Sequence, residues 1–306
     1  MSAIKDRRRF LIQIGSLAAA TLLPARGLAG ALKTASEIRF GYAAITWGGD
    51  DRQAINDISD AGFRGIQLRA NVLKEFGEQP KALGDLLKQH GLQFVALSGG
   101  GPRGNTFNEA EEVATQVKQA TFLRDAGGLY LQMTDSSRPK TGRPAADDFK
   151  RLGHLLTEVG KRVSDLGIAL GYHNHMGSLG EAPDEVDRVM DAADPRYVKL
   201  ELDVAHYAQG GGDPAKAIRT YHDRLLFLHI KDVESLAVKP PPNDYRFVEL
   251  GRGRVDLPAI FAALKAVGFR GWAIVELDSV PDKSRTPKAS ALISKQYIEE
   301  KLKLKI

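Results

Sequence analysis

The stretch GIALGYHNH, residues 167–175, decides the fold. It is a short apolar run that ends in two histidines, His173 and His175. Successive side chains of a strand point to opposite faces, so these two imidazoles share one face. Longer segments with a helical pattern flank the run at 146–166 and 183–193. The stretch therefore predicts a buried β-strand between two helices, with polar groups at the carboxyl end of the strand.

The same alternation continues along the chain. Strand-like runs occupy residues 37–47, 65–70, 92–100, 128–135, 167–175, 197–206, 225–232 and 271–278. Helical patterns lie near 51–61, 78–90, 108–126, 146–166, 183–193, 213–223, 256–268 and 286–303. Eight strands that alternate with eight helices predict an α/β protein, a (β/α)₈ TIM barrel, with residues 36–306 as its single domain.

An open doubly wound sheet is the alternative architecture. It requires a phosphate-binding glycine turn after the first strand, and WGGDD at 47–51 is a poor match. Two irregular stretches, 98–107 and 234–256, are predicted to be long loops after strands. Loops at the carboxyl ends of barrel strands are where enzymes of this architecture contact their substrates.

The first thirty residues have a separate character. A basic cluster that contains Arg7 and Arg8 precedes Phe10, a modestly apolar stretch follows, and small residues surround Ala29. This order resembles a twin-arginine signal peptide over residues 1–29. It predicts export, to the periplasm or beyond, by the twin-arginine machinery. An amphipathic terminal helix is the alternative interpretation.

Charge and composition exclude several classes of partner. The 306-residue chain has a net charge of +5, of which +4 belongs to residues 1–29, so the remainder carries +1. A nearly neutral chain lacks the basic footprint of a nucleic-acid-binding protein. No apolar run reaches the ~18–20 residues of a membrane span, so we expect no membrane association once the signal is removed. The absence of cysteine excludes disulfides and thiolate metal cages.

Polar side chains end four consecutive predicted strands of the second half. In a barrel, the carboxyl ends of the strands converge on one rim. Nitrogen and oxygen donors gathered there suit one divalent cation, namely Mn²⁺, Co²⁺, Fe²⁺, Zn²⁺ or Mg²⁺. The residues are His173 and His175, Asp203 and His206, His229 and Lys231, and Glu276 and Asp278.

Each of these residues also has a structural interpretation. A single strand histidine is commonly a satisfied core residue, and Asp203 could cap the turn after its strand. Asp232 is interpreted as the N-cap of a loop turn. His90, His154 and His222 fall in predicted helices or at their ends and are interpreted as surface residues. The shared position at four strand ends favours a metal site for the set.

Six short motifs in a fixed order carry a family resemblance. They are GYAAITWGGDD at 41–51, followed by YHNHMG, LDVAH, LHIKD, LGRGRVDLPAI and GWAIVELD. In this order they resemble the xylose isomerase-like barrel superfamily of sugar phosphate isomerases and epimerases. The pattern is most similar to the inosose dehydratase-like branch. The resemblance extends from residue 38 to about residue 282.

The resemblance implies a divalent metal held by strands five to eight, usually by Glu, Asp, His and Glu. The matching positions are His173, Asp203, His229 and Glu276, of which the first differs in type. In the epimerase branch the strand-five glutamate is also one of two opposed bases, so His173 departs from that mechanism. Gln67 is a second departure, because many relatives carry a glutamate there. A histidine run on strand five is shared with inosose dehydratase-like sequences and favours elimination chemistry.

The expected substrate is a keto sugar, a keto-glycoside or a keto-cyclitol. Its carbonyl and a neighbouring hydroxyl can chelate the metal, which acts as a Lewis acid. A base can then remove the adjacent C–H proton to give an enediolate. Loss of a β-oxygen from this species makes the protein a dehydratase or lyase. Reprotonation makes it a sugar isomerase or epimerase, which is the alternative on the same site.

The catalytic candidates are His175, His206, Lys231 and Glu276, and the substrate-binding candidates are Trp47, His175, His206 and Lys231. His175 has an alternative role in supporting a ligand, and Trp47 has one in packing at the barrel mouth. A periplasmic sugar-binding barrel without turnover is an alternative of another class, which the intact ligand set disfavours. A metal-dependent phosphodiesterase is disfavoured because it requires a multi-metal cluster and a basic groove.

Overall fold

Eight parallel strands close into a barrel in the computed structural model, which describes residues 38–104, 107–237 and 244–306. The order around the barrel follows the chain, with the last strand beside the first. The predicted signal peptide, 1–29, lies outside the described residues. The eight barrel strands are β1 (Ile38–Ala43), β2 (Gly65–Arg69), β3 (Gln93–Ser98), β4 (Tyr130–Met133), β5 (Ala169–His173), β6 (Val198–Asp203), β7 (Leu225–Ile230) and β10 (Gly271–Val275). Two further strands, β8 (Asp232–Ser235) and β9 (Tyr245–Val248), form a hairpin between β7 and β10.

Helices follow the barrel strands and make the protein a single-domain TIM barrel, as predicted. None of the helices in the described part of the chain is long and apolar enough to cross a bilayer. The helices are α1 (Asp51–Asp60), α2 (Leu73–Phe76), α3 (Pro80–Gln89), α4 (Glu109–Asp125), α5 (Ala146–Ser164), α6 (Pro183–Ala192), α7 (Val204–Gln209), α8 (Pro214–Thr220), α9 (Leu257–Ala266) and α10 (Pro287–Glu300).

The period-two pattern of the strands separates an apolar barrel interior from a polar rim. On β10, Trp272 and Ile274 belong to a buried cluster inside the barrel, and Glu276 continues the same face beyond the strand. Phe227 of β7 stacks on Tyr130 of β4 with ring centroids 5.3 Å apart. Aromatic and aliphatic side chains therefore fill the barrel below the rim, and the polar groups at the strand ends lie above this packed interior.

The predicted irregular loop over 234–256 is wrong in part, because an antiparallel hairpin begins it. Strands β8 and β9 pair from Asp232 opposite Val248 to Ser235 opposite Tyr245. The Asp232 carboxylate accepts backbone N–H bonds from residues 233, 251, 253 and 255. Asp232 thus anchors this loop from the end of β7, which is a structural role of the kind expected from the sequence.

Strand six is shorter than its apolar run predicts. The sequence pattern continues to residue 206, but β6 ends at Asp203 and α7 begins at Val204. The Asp203 side chain accepts the N–H groups of Ala205 and His206 and so caps the new helix. The cap ends the strand, and His206 stands on a helix rather than in the barrel wall.

Candidate metal centre and active site

Four side chains meet at the carboxyl ends of the last four barrel strands. Each offers one ligand atom, and these atoms all lie within 4.8 Å of one another. Strand register explains the convergence in part, because Asp203 of β6 pairs directly with His229 of β7. All four side chains are buried. They are the residues named from the sequence as candidate metal ligands, His173, Asp203, His229 and Glu276.

The two oxygens of Asp203 have different partners. Oδ1 accepts the N–H groups of Ala205 and His206 at 2.8 Å each. Oδ2 has no hydrogen-bond partner and lies 3.6 Å from Nδ1 of His229 and 3.9 Å from Nζ of Lys231. The helix-capping interpretation and the ligand interpretation are therefore compatible, because each uses a different oxygen.

The imidazole of His229 connects the cluster to a deeper layer. Nδ1 is 3.2 Å from Oε2 of Glu276, on the side that also faces Asp203. Nε2 is 2.6 Å from Oε1 of Glu201 and 2.8 Å from Oε1 of Gln67. Burial lowers the pKa of His229, but Glu201 and Glu276 outweigh burial and hold the pKa well above its usual value. The surrounding carboxylates therefore stabilise positive charge at this position.

His173 is held in the form that binds metals. Burial, followed by the neighbouring imidazoles of His229 and His175, lowers the pKa of His173 well below its usual value. A neutral imidazole has the free lone pair that coordination requires. Nδ1 of His173 has no hydrogen-bond partner and lies 3.8 Å from Oε1 of Glu201.

The unpartnered polar atoms of the cluster fit a divalent cation. Oδ2 of Asp203 and Nδ1 of His229 are buried without hydrogen-bond partners. Leaving a buried polar atom without a hydrogen bond costs about 1–3 kcal/mol. Two such atoms next to each other are therefore unusual in a protein interior, where most buried polar atoms are hydrogen-bonded. Two imidazoles and two carboxylates form the donor set that Zn²⁺, Mn²⁺, Fe²⁺ and Co²⁺ accept.

Lys231 is a completely buried ammonium beside the cluster. Nζ lies 2.8 Å from Oε2 of Glu276 and 2.5 Å from Oδ1 of Asp278, and 4.0 Å from the ring centre of Phe247. Burial lowers the pKa of Lys231, but Glu276 and Asp278 outweigh burial and raise it. Lys231 therefore keeps its charge at neutral pH. It acts as a fixed cation and is a poor proton donor.

His206 packs beneath the hairpin together with Lys231. Its Nδ1 accepts the N–H of Met176 at 3.2 Å, and its Nε2 lies 3.3 Å from Nζ of Lys231. Burial and then Lys231 lower the pKa of His206 well below its usual value. The ring of Phe247 covers it at 4.7 Å between centroids. Contact of His206 and Lys231 with the substrate stays a prediction from the sequence, because both side chains are buried and are not among the residues that line the cavity beside the cluster.

A cavity of about 340 Å³ opens onto the cluster. His173, His175, Glu276 and Asp278 line one side of it. The volume lies at the small end of the ~300–1,000 Å³ range of ligand sites, which suits a single sugar or cyclitol ring. Nδ1 of His175 lies 2.6 Å from the carbonyl oxygen of Met176. Since a carbonyl only accepts, Nδ1 carries a hydrogen, and in the neutral imidazole the free lone pair is on Nε2.

Trp47 does not reach this cavity. Its Nε1 donates to Oδ2 of Asp57 at 2.8 Å, and its ring packs edge-on against Tyr42. Ile45, from the same turn, lines the cavity instead. The indole N–H is engaged in the protein interior, which agrees with the alternative of packing at the barrel mouth, and the contact of Trp47 with substrate stays a prediction.

The sequence interpretation missed several residues of the site. Arg69, Arg103 and Gln132 also line the cavity. Arg69 ends β2, so the strand-end rule applied to the first half of the barrel would have found it. Glu201 is completely buried, and burial raises its pKa to about 7. Its position two residues before Asp203 on the same face was the available signal.

A larger depression, of about 710 Å³, lies at the opposite end of the barrel. Arg39, Gln93 and Trp272, near the amino ends of their strands, are among the residues that line it. The His and carboxylate groups that could hold a metal, among the described residues, all lie at the other end. Barrel enzymes also place their chemistry at the carboxyl ends of the strands. The smaller cavity is therefore the candidate active site.

Comparison with known proteins agrees with this geometry. The model of the xylose isomerase-like TIM barrel family matches residues 55–299. The chain belongs to this family. It is 28% identical over 277 residues to the rhizopine catabolism protein MocC of Rhizobium meliloti, which covers 81% of this chain and 83% of that protein. It is 27% identical over 299 residues to the inosose dehydratase of Geobacillus kaustophilus, with 87% and 96% covered.

Solved structures share the barrel. The IolI protein with a bound zinc atom superposes with a TM-score of 0.72 at 17% identity, over 86% of this chain and 97% of that one. An L-ribulose 3-epimerase superposes with a TM-score of 0.67 at 21% identity, over 85% and 93%. These likenesses show the fold. The family and the curated relatives make this protein an enzyme of the lyase or isomerase type.

Proposed function

We propose that the protein is a divalent-metal-dependent lyase that removes a β-oxygen substituent from a keto-cyclitol, a keto sugar or a keto-glycoside. One observation carries the proposal: four potential ligand side chains lie within 4.8 Å of one another, and two of them, His173 and Glu276, also line the cavity. The similarity to an inosose dehydratase, named for a keto-cyclitol, supports dehydration as the reaction type.

Each buried side chain has a separate task in this proposal. His173, Asp203, His229 and Glu276 would hold the metal, and the two imidazoles favour a borderline cation over Mg²⁺. When bound, the cation polarises the substrate carbonyl and makes the neighbouring C–H acidic. Lys231, 2.8 Å from Glu276, fixes that carboxylate and keeps it ionised.

His175 is the proton-transfer residue of the proposal. Its Nδ1–H is held by the carbonyl of Met176, so its Nε2 accepts the proton from the carbon next to the substrate carbonyl. The electron pair of that C–H bond forms a C=C bond, and the bond from the β-carbon to its oxygen breaks. The imidazolium of His175 returns the proton to the departing oxygen, which leaves as water or as an alcohol.

A sugar isomerase or epimerase is the second candidate. An epimerase requires proton carriers on both faces of the substrate carbon. The Asp278 side chain lines the same cavity and is 39% exposed, so it offers a second acceptor. Its Oδ1 is already engaged by the Lys231 ammonium at 2.5 Å, which disfavours this alternative.

Reaction in D₂O distinguishes the two candidates. With metal-loaded enzyme and a panel of inososes, keto-hexoses and keto-glycosides, we expect an unsaturated or cleaved product that has lost the β-oxygen. The yield should fall on the order of 10²-fold or more in His175→Ala, with exposed His154→Ala as the control. A product of unchanged formula that carries one carbon-bound deuterium would instead identify an epimerase.

We further propose that residues 1–29 export the protein by the twin-arginine pathway. The paired guanidinium groups of Arg7 and Arg8 are planar and hydrogen-bond in a fixed geometry that lysine does not reproduce. The double variant Arg7→Lys with Arg8→Lys should therefore accumulate in the cytoplasm. Fractionation of cells that produce the variant or the parent measures this, and unchanged export of the double variant would contradict it.

A further inference from the structure

We propose that Glu201 is a positioning residue that fixes the orientation of both imidazoles of the metal centre and determines which nitrogen each one offers. This inference rests on the proposed metal site. Glu201 lies outside the set of four ligands. It acts on the cation through His229 and His173, so its loss should weaken binding without abolishing the site.

The strand geometry places Glu201 directly under the cluster. It precedes Asp203 by two residues on β6 and therefore shares its face of the strand. It also pairs in register with His173 of the neighbouring strand β5. The Glu201 side chain is completely buried. A carboxylate in this position can only interact with groups inside the barrel.

The contacts of His229 define its tautomer. Two oxygens surround Nε2, Oε1 of Glu201 at 2.6 Å and Oε1 of Gln67 at 2.8 Å. The amide of Gln67 is oriented by its own Nε2, which donates to Oε1 of Gln132 at 2.7 Å. Since the oriented amide of Gln67 presents its oxygen to Nε2, Nε2 carries the hydrogen and donates it to Gln67, with Oε1 of Glu201 on the same side of the ring. Nδ1, which faces Asp203 and Glu276, is then the nitrogen that His229 offers to a cation.

The same carboxylate faces the second imidazole. Nδ1 of His173 is 3.8 Å from Oε1 of Glu201. Nδ1 of His173 and both carboxylate oxygens of Glu201 are buried without hydrogen-bond partners. The side of His173 turned to Glu201 is therefore its Nδ1 side, and a hydrogen on Nδ1 directed to Glu201 would leave Nε2 for the cation. Carboxylates that accept the second N–H of a ligating histidine hold the ring and increase its basicity.

Zinc affinity and histidine tautomers together test the proposal. The dissociation constant for Zn²⁺, measured by chelator competition, should rise about 10–100-fold in Glu201→Gln, because glutamine keeps the size and removes the charge. Glu249→Gln is the matched control, since Glu249 is an equally buried carboxylate that binds Ser290 and Arg285 instead. In ¹⁵N spectra of the zinc-loaded parent, His229 should be protonated at Nε2 and His173 at Nδ1.

Each outcome decides between distinct alternatives. Equal zinc affinity of parent and Glu201→Gln overturns the positioning role and leaves the metal site intact. If Glu201→Gln loses all zinc, as is expected for Asp203→Ala, then Glu201 is itself a ligand, and this result also overturns the positioning role. If the parent binds no zinc or other divalent metal, the proposed function fails as well. Should Glu201→Gln not fold, the tautomers of the unsubstituted protein decide, and a zinc-loaded His229 protonated at Nδ1 contradicts the proposal.

Discussion

Replacing Asp203, His229 or Glu276 by alanine is expected to abolish stoichiometric metal binding and to lower turnover on the order of 10³-fold or more. Each residue supplies one of the four ligand atoms that lie within 4.8 Å of one another. Removing a ligand from so small a donor set leaves three protein groups and opens the site to water. Metal content of the purified variants and turnover of the keto substrate measure the effect.

The fold should survive these substitutions, because the barrel is filled by apolar side chains below the rim. Asp203→Ala also removes the cap of α7, at a cost of about 1 kcal/mol. Asp213→Ala is the matched control, because Asp213 caps α8 through the N–H of Lys216. It should lose similar stability and keep its metal. Stoichiometric metal in any of the three site variants would remove that residue from the ligand set.

Lys231→Met is expected to separate catalysis from metal binding. Lys231 contacts Glu276 and Asp278 and supplies no ligand atom. The variant should retain its metal, while turnover falls on the order of 10²–10³-fold because a fixed cation beside the reacting groups is lost. Without metal, the buried Glu276 carboxylate loses a partner, so we expect the free energy of unfolding to fall by about 3 kcal/mol.

Urea unfolding with and without added metal measures the change in the free energy of unfolding. Metal analysis measures the bound metal, and kinetics measure the turnover. Added metal should restore much of the lost stability, because it replaces one positive charge near Glu276. Lys161→Met serves as the control, since Lys161 pairs with Glu158 on the surface and surface substitutions change stability by about 0.5 kcal/mol or less. Unchanged turnover in Lys231→Met would exclude Lys231 from the mechanism.

The barrel and the cluster of potential metal ligands at its rim were predictable from the sequence for one physical reason. Each buried strand is a short apolar run, and parallel strands bring their carboxyl ends to one rim. His173, Asp203, His229 and Glu276 stand at or just after the ends of such runs, so their convergence follows from chain order alone. No long-range contact had to be known in advance.

Other parts of the site depend on contacts that the local pattern does not encode. The sequence offered Asp203 as the cap of a turn, but the apolar pattern through residue 206 did not show that a helix begins at Val204. The indole of Trp47 is turned away by a hydrogen bond to Asp57, which is on another element. Glu201 was overlooked because a single carboxylate within an apolar strand acquires meaning only from His229 on the neighbouring strand.

Titration of the chelator-treated protein with a divalent metal tests directly whether the proposed β-elimination depends on a bound metal. The rate of β-elimination from the fastest keto substrate is followed as Zn²⁺, Mn²⁺, Co²⁺ or Fe²⁺ is added in steps. We expect a rate near background without metal, and a linear rise that reaches its plateau at one equivalent per chain. Full activity in the chelated protein, unchanged by added metal, would contradict a metal-dependent lyase.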